Sequence, residues 1–292
     1  MKIEEIKRTA VIGAGGMGAQ IADVLSRIGG YEVWMVDISD ELVRKGFRSI
    51  EDRLERFFVA KGKLTPEEKK NIVNRIKGST SIEEASKGAD LVIEAVIEKM
   101  SLKKEIFKKL DGSAPSHAIL ASNTSYLNMS EMASATKRPE KVVGIHFFNP
   151  VGVMQLVEVV RGGRTSNETI EVAFDLAKRL GKEPVVCKDT SYGFLANRAY
   201  RAMIEEATQM VWERVASPEE IDKALKLGYN LPMGPLELGD MVGGWAIRVS
   251  SEEDALRELG PEKGRLHPLT RAMVRAGYAK IYDYWKDVLS KP

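Results

Sequence analysis

RTAVIGAGGMGAQIADVLSRIGGYEVWMVD, residues 8–37, reads as a strand, a tight glycine turn, a helix and a second strand in one unbroken unit. The apolar run ending at Ile12 suits a buried strand. GMGAQIADVLSR has helical spacing with Gly29 and Gly30 as its stop, and YEVWMVD returns to strand. Between them, Gly13, Gly15 and Gly18 stand in G-x-G-x-x-G spacing. The first glycine permits the turn, the second lets backbone approach a pyrophosphate, and the third lets helix pack closely on strand. Such a motif alone is weak evidence, but here it has a strand before it, a helix after it and Asp37 ending the next strand. Residues Gly13, Ala14, Gly15, Gly16, Met17 and Gly18 are therefore expected to line a dinucleotide site. Asp37 would bond the ribose 2′-hydroxyl and repel a 2′-phosphate, and Ile38 and Ser39 supply no arginine, so the expected cofactor is NAD.

Outward from this unit, a charged helical stretch runs from Glu41 to about Lys61. KLTPEEKKNIVNRI follows, with Thr65 as N-cap, Pro66 at the first helical position and Glu68 closing a capping box. ADLVIEAV (89–96) suits a strand buried on both faces; SLKKEIFKKL reads as helix and AILASNTS as strand. KVVGIHFF and MQLVEVV are two further strands, followed by the helix ETIEVAFDLAKRLG and the strand EPVVCK. From about Gly193 onward helical patterns take over. The chain is expected to comprise an α/β Rossmann-type dinucleotide-binding domain, 1–188, and an all-helical domain, 189–292, for substrate binding and dimerisation.

The 44 basic and 42 acidic residues nearly balance, which gives no sign of a nucleic-acid or membrane partner, and no apolar run approaches a bilayer span. The N-terminus does not read as a signal peptide. The single cysteine, Cys187, cannot form an internal disulfide, which suits a cytoplasmic setting and points away from cysteine-based metal sites; no metal site is expected.

Two polar residues stand out in oily strands. Alternation puts Gly144, His146 and Phe148 on one face of the first strand, and Leu156, Glu158 and Val160 together on the second. A hairpin turning at NPVGV has its midpoint at Gly152, making His146 and Glu158 cross-strand neighbours. The carboxylate would set the imidazole's tautomer and support its charge, leaving the other nitrogen to take a proton. A satisfied buried ion pair fits this pattern as well as a catalytic one. SNTS (122–125) offers hydroxyls and an amide at a strand's carboxyl end, where open α/β sheets bind ligands, although such a cluster also makes an ordinary turn. Asn197 in YGFLANR is either an orienting amide or a plain helix polar residue. His117 and His267, in polar turn-like surroundings, are expected at the surface.

GAGGMGAQIA, EAVIEKMSLKKEIF, SNTSYLNMSEMA, GIHFFNPVGVMQLVEVV, GFLANR and LPMGPLELGD, in this order, resemble the L-3-hydroxyacyl-CoA dehydrogenases, from about residue 8 to 245. The resemblance implies NAD-dependent oxidation of (S)-3-hydroxyacyl-CoA to 3-oxoacyl-CoA in fatty-acid β-oxidation or butanoate metabolism, by a stand-alone homodimer favouring short chains. It makes His146 the general base, with Glu158 orienting it. Ser125 and Asn197 would position substrate, Ser125 also lying near the nicotinamide ribose, while Glu98, Lys103 and Asn149 would border the cofactor. Lys61 is the match for a CoA-contacting lysine, and reads equally well as a solvated loop charge. Relatives in this family act on free hydroxy acids, and one is a lens crystallin, so a free hydroxy-acid dehydrogenase or an NAD-binding protein without turnover are the alternatives. The sequence departs from the family at Glu98-Lys99, at KDTSYGF, and after Tyr278, where a Gly/Lys-rich stretch is missing.

Overall fold

The structure, a computed structural model, describes residues 1–190 and 192–291. It divides into two compact units, Met1–Thr190 and Ser191–Pro292, two residues beyond the boundary expected from the sequence.

The first unit is built on one eight-stranded sheet. Its strands are β1 (Arg8–Ile12), β2 (Glu32–Val36), β3 (Ile76–Ser79), β4 (Leu91–Glu94), β5 (Ile119–Ser122), β6 (Val142–Phe147), β7 (Leu156–Arg161) and β8 (Glu183–Lys188). They lie in the order β3-β2-β1-β4-β5-β6-β7-β8. The first six are mutually parallel, β7 runs antiparallel to β6, and β8 is parallel to β7. The six-strand part has the doubly wound dinucleotide-binding order, whose ligands sit beyond the strands' carboxyl ends. Its helices are α1 (Gly16–Arg27), α2 (Asp40–Leu54), α3 (Pro66–Asn74), α4 (Ile82–Ser86), α5 (Met100–Ser113), α6 (Met129–Ala133) and α7 (Asn167–Arg179). Each residue of β4, β5 and β6 is buried, as expected of strands covered by helices on both faces.

Local chemistry sets the helix starts. Ser39, Thr65 and Ser166 each accept a backbone N–H of the following turn, and Thr65 and Glu68 form the expected capping box ahead of Pro66. Three elements of this unit are absent from the sequence reading: β3, a four-residue edge strand with only Ile76 fully buried, and two short helices, α4 capped by Ser81 and α6 capped by Asn128.

The second unit is helical: α8 (Ala196–Trp212), α9 (Pro218–Tyr229), α10 (Pro235–Met241), α11 (Gly244–Ser250), α12 (Glu252–Gly264), α13 (Pro268–Arg275) and α14 (Ile281–Tyr284). Ile204, Ala207, Val211, Leu236, Trp245 and Leu269 belong to its apolar core. GPLELGDMVGGW, read as one helical segment, is two helices broken at Gly243, whose φ of +63° is left-handed. Two carboxylates, the buried Asp222 and the half-buried Asp240, brace the ends. Asp222 accepts the Leu236 and Glu237 N–H groups at the start of α10 and the Tyr282 hydroxyl. Asp240 accepts the Trp245 indole N–H and the Ile281 N–H that opens α14.

His267 is not the surface residue expected: it is half-buried as the N-cap of α13, Nδ1 accepting the Leu269 N–H at 3.1 Å and Nε2 lying 2.7 Å from Gln209 Oε1. Accepting at Nδ1 requires the neutral ring, with its proton on Nε2 facing Gln209. Burial lowers its pKa, with Glu205 and Glu213 pulling weakly the other way. The unfolded chain therefore takes up this proton first. The cap's contribution is complete above the unfolded value of about 6.5 and is lost as pH falls below it towards the folded value. Melting curves at pH 7.5 and pH 5 should show this loss, and His267→Asn, which keeps a cap without a titrating ring, should flatten the difference.

Candidate active site

Most of the candidate residues lie near the ends of the parallel strands. After β1, Gly13 adopts φ +109° and donates its N–H to Val36 O at 2.7 Å. A side chain at Gly18 would place its Cβ 1.8 Å from Gly13 O, so turn and helix close on each other only because both residues are glycine. By contrast, a Cβ at Gly15 or Gly16 would meet nothing within 4 Å. The first turn of α1 carries no acidic residue and no side-chain cap, so its N–H groups face that open space with the helix's positive end. This cradle fits a dinucleotide pyrophosphate. Asp37, just past β2, accepts the Ala14 N–H at 2.8 Å through one oxygen and the Ile38 N–H at 2.7 Å through the other. It ties β2 to the glycine turn and, with about four acceptor sites, retains capacity for ribose hydroxyls.

A buried charge network sits beside this turn. Glu94, the last residue of β4 and 0% exposed, accepts Lys103 Nζ at 2.7 Å, the Val96 N–H at 2.7 Å and the Ser122 hydroxyl at 2.6 Å. Lys103, on α5 and 1% exposed, also reaches Glu98 at 3.2 Å. Glu98 in turn accepts the Thr124 hydroxyl and the backbone N–H groups of Ser125 and Tyr126, at 2.5, 2.9 and 3.1 Å. Glu98, Lys103 and the SNTS hydroxyls were singled out from sequence; Glu94 was not. The signal was available: a carboxylate inside a strand buried on both faces must have a partner.

Next along the sheet, His146 and Glu158 are direct cross-strand partners in the β6–β7 ladder, at the register the hairpin argument gives. Nδ1 of His146 lies 2.8 Å from Glu158 Oε2, with the residues 3% and 0% exposed. An ionised carboxylate can only accept, so Nδ1 carries the proton and Nε2 is the basic ring nitrogen. The ring of Phe148 lies against that of His146, tilted by 50° with 4.5 Å between centroids. Asn123, the amide of the SNTS cluster, accepts the Phe147 N–H at 2.8 Å and so ties the end of β5 to the His146 strand. The neighbouring Cys187 thiol is pushed up to about 12, by burial and then by Glu158 and Asp189, and is no nucleophile.

Asn149 is exposed and lies three residues past His146, its Oδ1 3.0 Å from Gln20 Nε2 of α1. Lys61 is exposed, its Nζ 5.6 Å from the centre of the half-exposed Phe57 ring, against which Arg56 also lies at 5.6 Å. Asn197 belongs to the second unit, half-buried on the first turn of α8.

Comparison with known proteins follows the same two-part division. Residues 8–190 match the 3-hydroxyacyl-CoA dehydrogenase NAD binding domain, and residues 193–281 the C-terminal domain of the same family. A probable 3-hydroxybutyryl-CoA dehydrogenase of Bacillus subtilis is 46% identical over 286 residues, covering 96% of this chain and 98% of that protein. The 3-hydroxybutyryl-CoA dehydrogenase of Clostridioides difficile is 41% identical, covering 96% of this chain and 100% of that one. The crystal structure of (S)-3-hydroxybutyryl-CoA dehydrogenase from Ralstonia eutropha superposes with a TM-score of 0.88 at 42% identity, covering 96% of this chain and 97% of that one. A glycine turn shaped for a pyrophosphate, a His–Glu pair at the strand ends and both family domains in order place this chain in the 3-hydroxyacyl-CoA dehydrogenase family.

Proposed function

We propose that the protein catalyses the reversible, NAD-dependent oxidation of a short-chain (S)-3-hydroxyacyl-CoA to the 3-oxoacyl-CoA. The observation that carries this reading is the buried His146–Glu158 pair in the sheet that also bears the dinucleotide turn. His146 Nε2 takes the proton of the 3-hydroxyl as the C3–H bond breaks. Glu158, on the other side of the ring, stabilises the imidazolium that forms, so proton transfer costs little reorganisation. NAD, when bound, supplies the hydride acceptor. Ser125, whose backbone N–H is gripped by Glu98, and Asn197 would each serve to position substrate. Glu98, Lys103 and Asn149 would border the cofactor, and Lys61, on its aromatic support, would meet the phosphates of CoA. The relatives' names support a four-carbon acyl group.

Purified protein should oxidise NADH with acetoacetyl-CoA and not with free acetoacetate. Turnover of acetoacetate at a comparable rate would favour a free hydroxy-acid dehydrogenase, and NADH binding without turnover of any acyl-CoA a non-catalytic role. Asp37→Asn keeps an acceptor for the Ala14 N–H while removing the charge. It should lower the NADH-over-NADPH preference in kcat/KM by about tenfold or more, because the repulsion of a 2′-phosphate disappears. An unchanged ratio would remove Asp37 from cofactor selection.

The helical unit exposes Trp212, Leu227, Tyr229, Met241 and Ile247, apolar area that a second copy would cover, so a homodimer is expected by light scattering. Among the described residues no helix is long and apolar enough to cross a membrane. With a single cysteine and such a substrate, a cytoplasmic location fits best.

A further inference from the structure

We infer that Gln20 is a positioning residue: it fixes the Asn149 side-chain amide with Oδ1 turned inward, so that Nδ2 is presented to a carbonyl oxygen of the bound reactants.

Gln20 is 9% exposed and sits on the first turns of α1, and both ends of its amide are read by backbone groups. Its Oε1 receives the Val151 N–H at 2.9 Å, which requires an acceptor there. Its Nε2 points at Gly16 O, 2.9 Å away, which requires a donor there. The two backbone partners leave the Gln20 amide one orientation. The same Nε2 spends its second hydrogen on Asn149 at 3.0 Å, so the Asn149 atom facing it must be the acceptor Oδ1. The orientation of an exposed side chain is thus dictated through a buried one, by two main-chain groups far apart in sequence. The loop cannot drift to relax this. Val151 is buried, and the buried Lys182 ammonium donates to the carbonyls of both Val151 and Met154 on the loop's other side.

The placement gives the arrangement a use. Gln20 spans from Gly16, within the dinucleotide cradle, to Asn149, three residues beyond His146. An amide N–H₂ held between the phosphate cradle and the proton-transfer pair suits a carbonyl oxygen. Two reactants carry one: the carboxamide of nicotinamide and the thioester of the acyl-CoA. This inference rests on the function proposed above.

The test is a double-mutant cycle of Gln20→Met and Asn149→Ala, with acetoacetyl-CoA and NADH as substrates and melting temperatures recorded for each variant. Each single change should lower kcat/KM about tenfold, and the double variant should be no worse than Asn149→Ala alone, because Gln20 acts only through Asn149. A rise confined to the NADH constant identifies the carboxamide as the partner, and one confined to the acetoacetyl-CoA constant the thioester. Gln20→Glu supplies a second reading. It still accepts the Val151 N–H but turns an oxygen towards Asn149, forcing that amide to flip and present Oδ1. It also sets an oxygen against Gly16 O, so it should be worse than Gln20→Met, the excess shrinking once Asn149 is alanine. Multiplicative effects in the double variant, or Gln20→Met within about twofold of wild type, would overturn the inference while leaving the proposed function standing. Wild-type protein inert towards acetoacetyl-CoA would sink the function, and this inference with it.

Discussion

Glu158→Gln should slow turnover by about two to four orders of magnitude while leaving NADH affinity and the melting temperature near wild type. The substitution is nearly isosteric in a site that is 0% exposed, so no cavity opens. What it removes is the negative charge 2.8 Å from His146 Nδ1. An amide in that place supports an imidazolium poorly. If it turns its N–H₂ to the ring, it also forces the proton onto Nε2, the nitrogen that has to accept one. The partner change needs more care. His146→Ala would strand a buried carboxylate at a cost of about 3–5 kcal/mol, confusing folding with chemistry. His146→Gln can still donate to Glu158, and is expected to lose at least as much turnover as Glu158→Gln. Residues acting as one unit are not additive, so the double variant should be little slower than His146→Gln alone. The measurement is kcat for acetoacetyl-CoA reduction beside NADH binding by fluorescence. A rate within severalfold of wild type in His146→Gln would end the general-base assignment.

That pair was legible in the amino-acid sequence because strand parity is rigid: two six-residue strands and a loop centred on Gly152 leave one way to align an imidazole with a carboxylate. The glycine turn was equally legible, since backbone sterics at Gly13 and Gly18 admit few other residues. Patterns lacking such periodicity were not. β3 (IKGS) is an edge strand with a lysine and a glycine at its centre, so no alternation announces it. His267 looked like a polar turn because capping is a property of one side chain's geometry, not of its neighbours' hydropathy. Gln20 reads as one more helix residue until Asn149 and Val151, some 130 positions away, are seen against it. Glu94 was passed over for a different reason: within ADLVIEAV it merely interrupts an apolar run, and its meaning lies in Lys103 on another element.

Lys103→Met is the change expected to damage the fold most. It would leave Glu94, 0% exposed, with a hydroxyl and one backbone N–H but no counter-charge, at a cost of about 3–5 kcal/mol. For a unit of this size that corresponds to a fall in melting temperature of about 10 °C. Stability and function can then be separated. Adding Glu94→Gln neutralises the stranded carboxylate; its one oxygen accepts the Val96 N–H, and its N–H₂, in the place of the second carboxylate oxygen, donates to the Ser122 hydroxyl, so the double variant should recover much of the lost melting temperature. Activity should not return with it. Lys103 also holds Glu98, and Glu98 grips the backbone of Ser125 and Tyr126; a methionine cannot do that. The expected outcome is a stable double variant with depressed kcat/KM, the loss concentrated in the constants for NADH and acetoacetyl-CoA. Full recovery of activity alongside stability would mean that Lys103 only balances charge, and that the strand-end network holds the core together without placing Ser125.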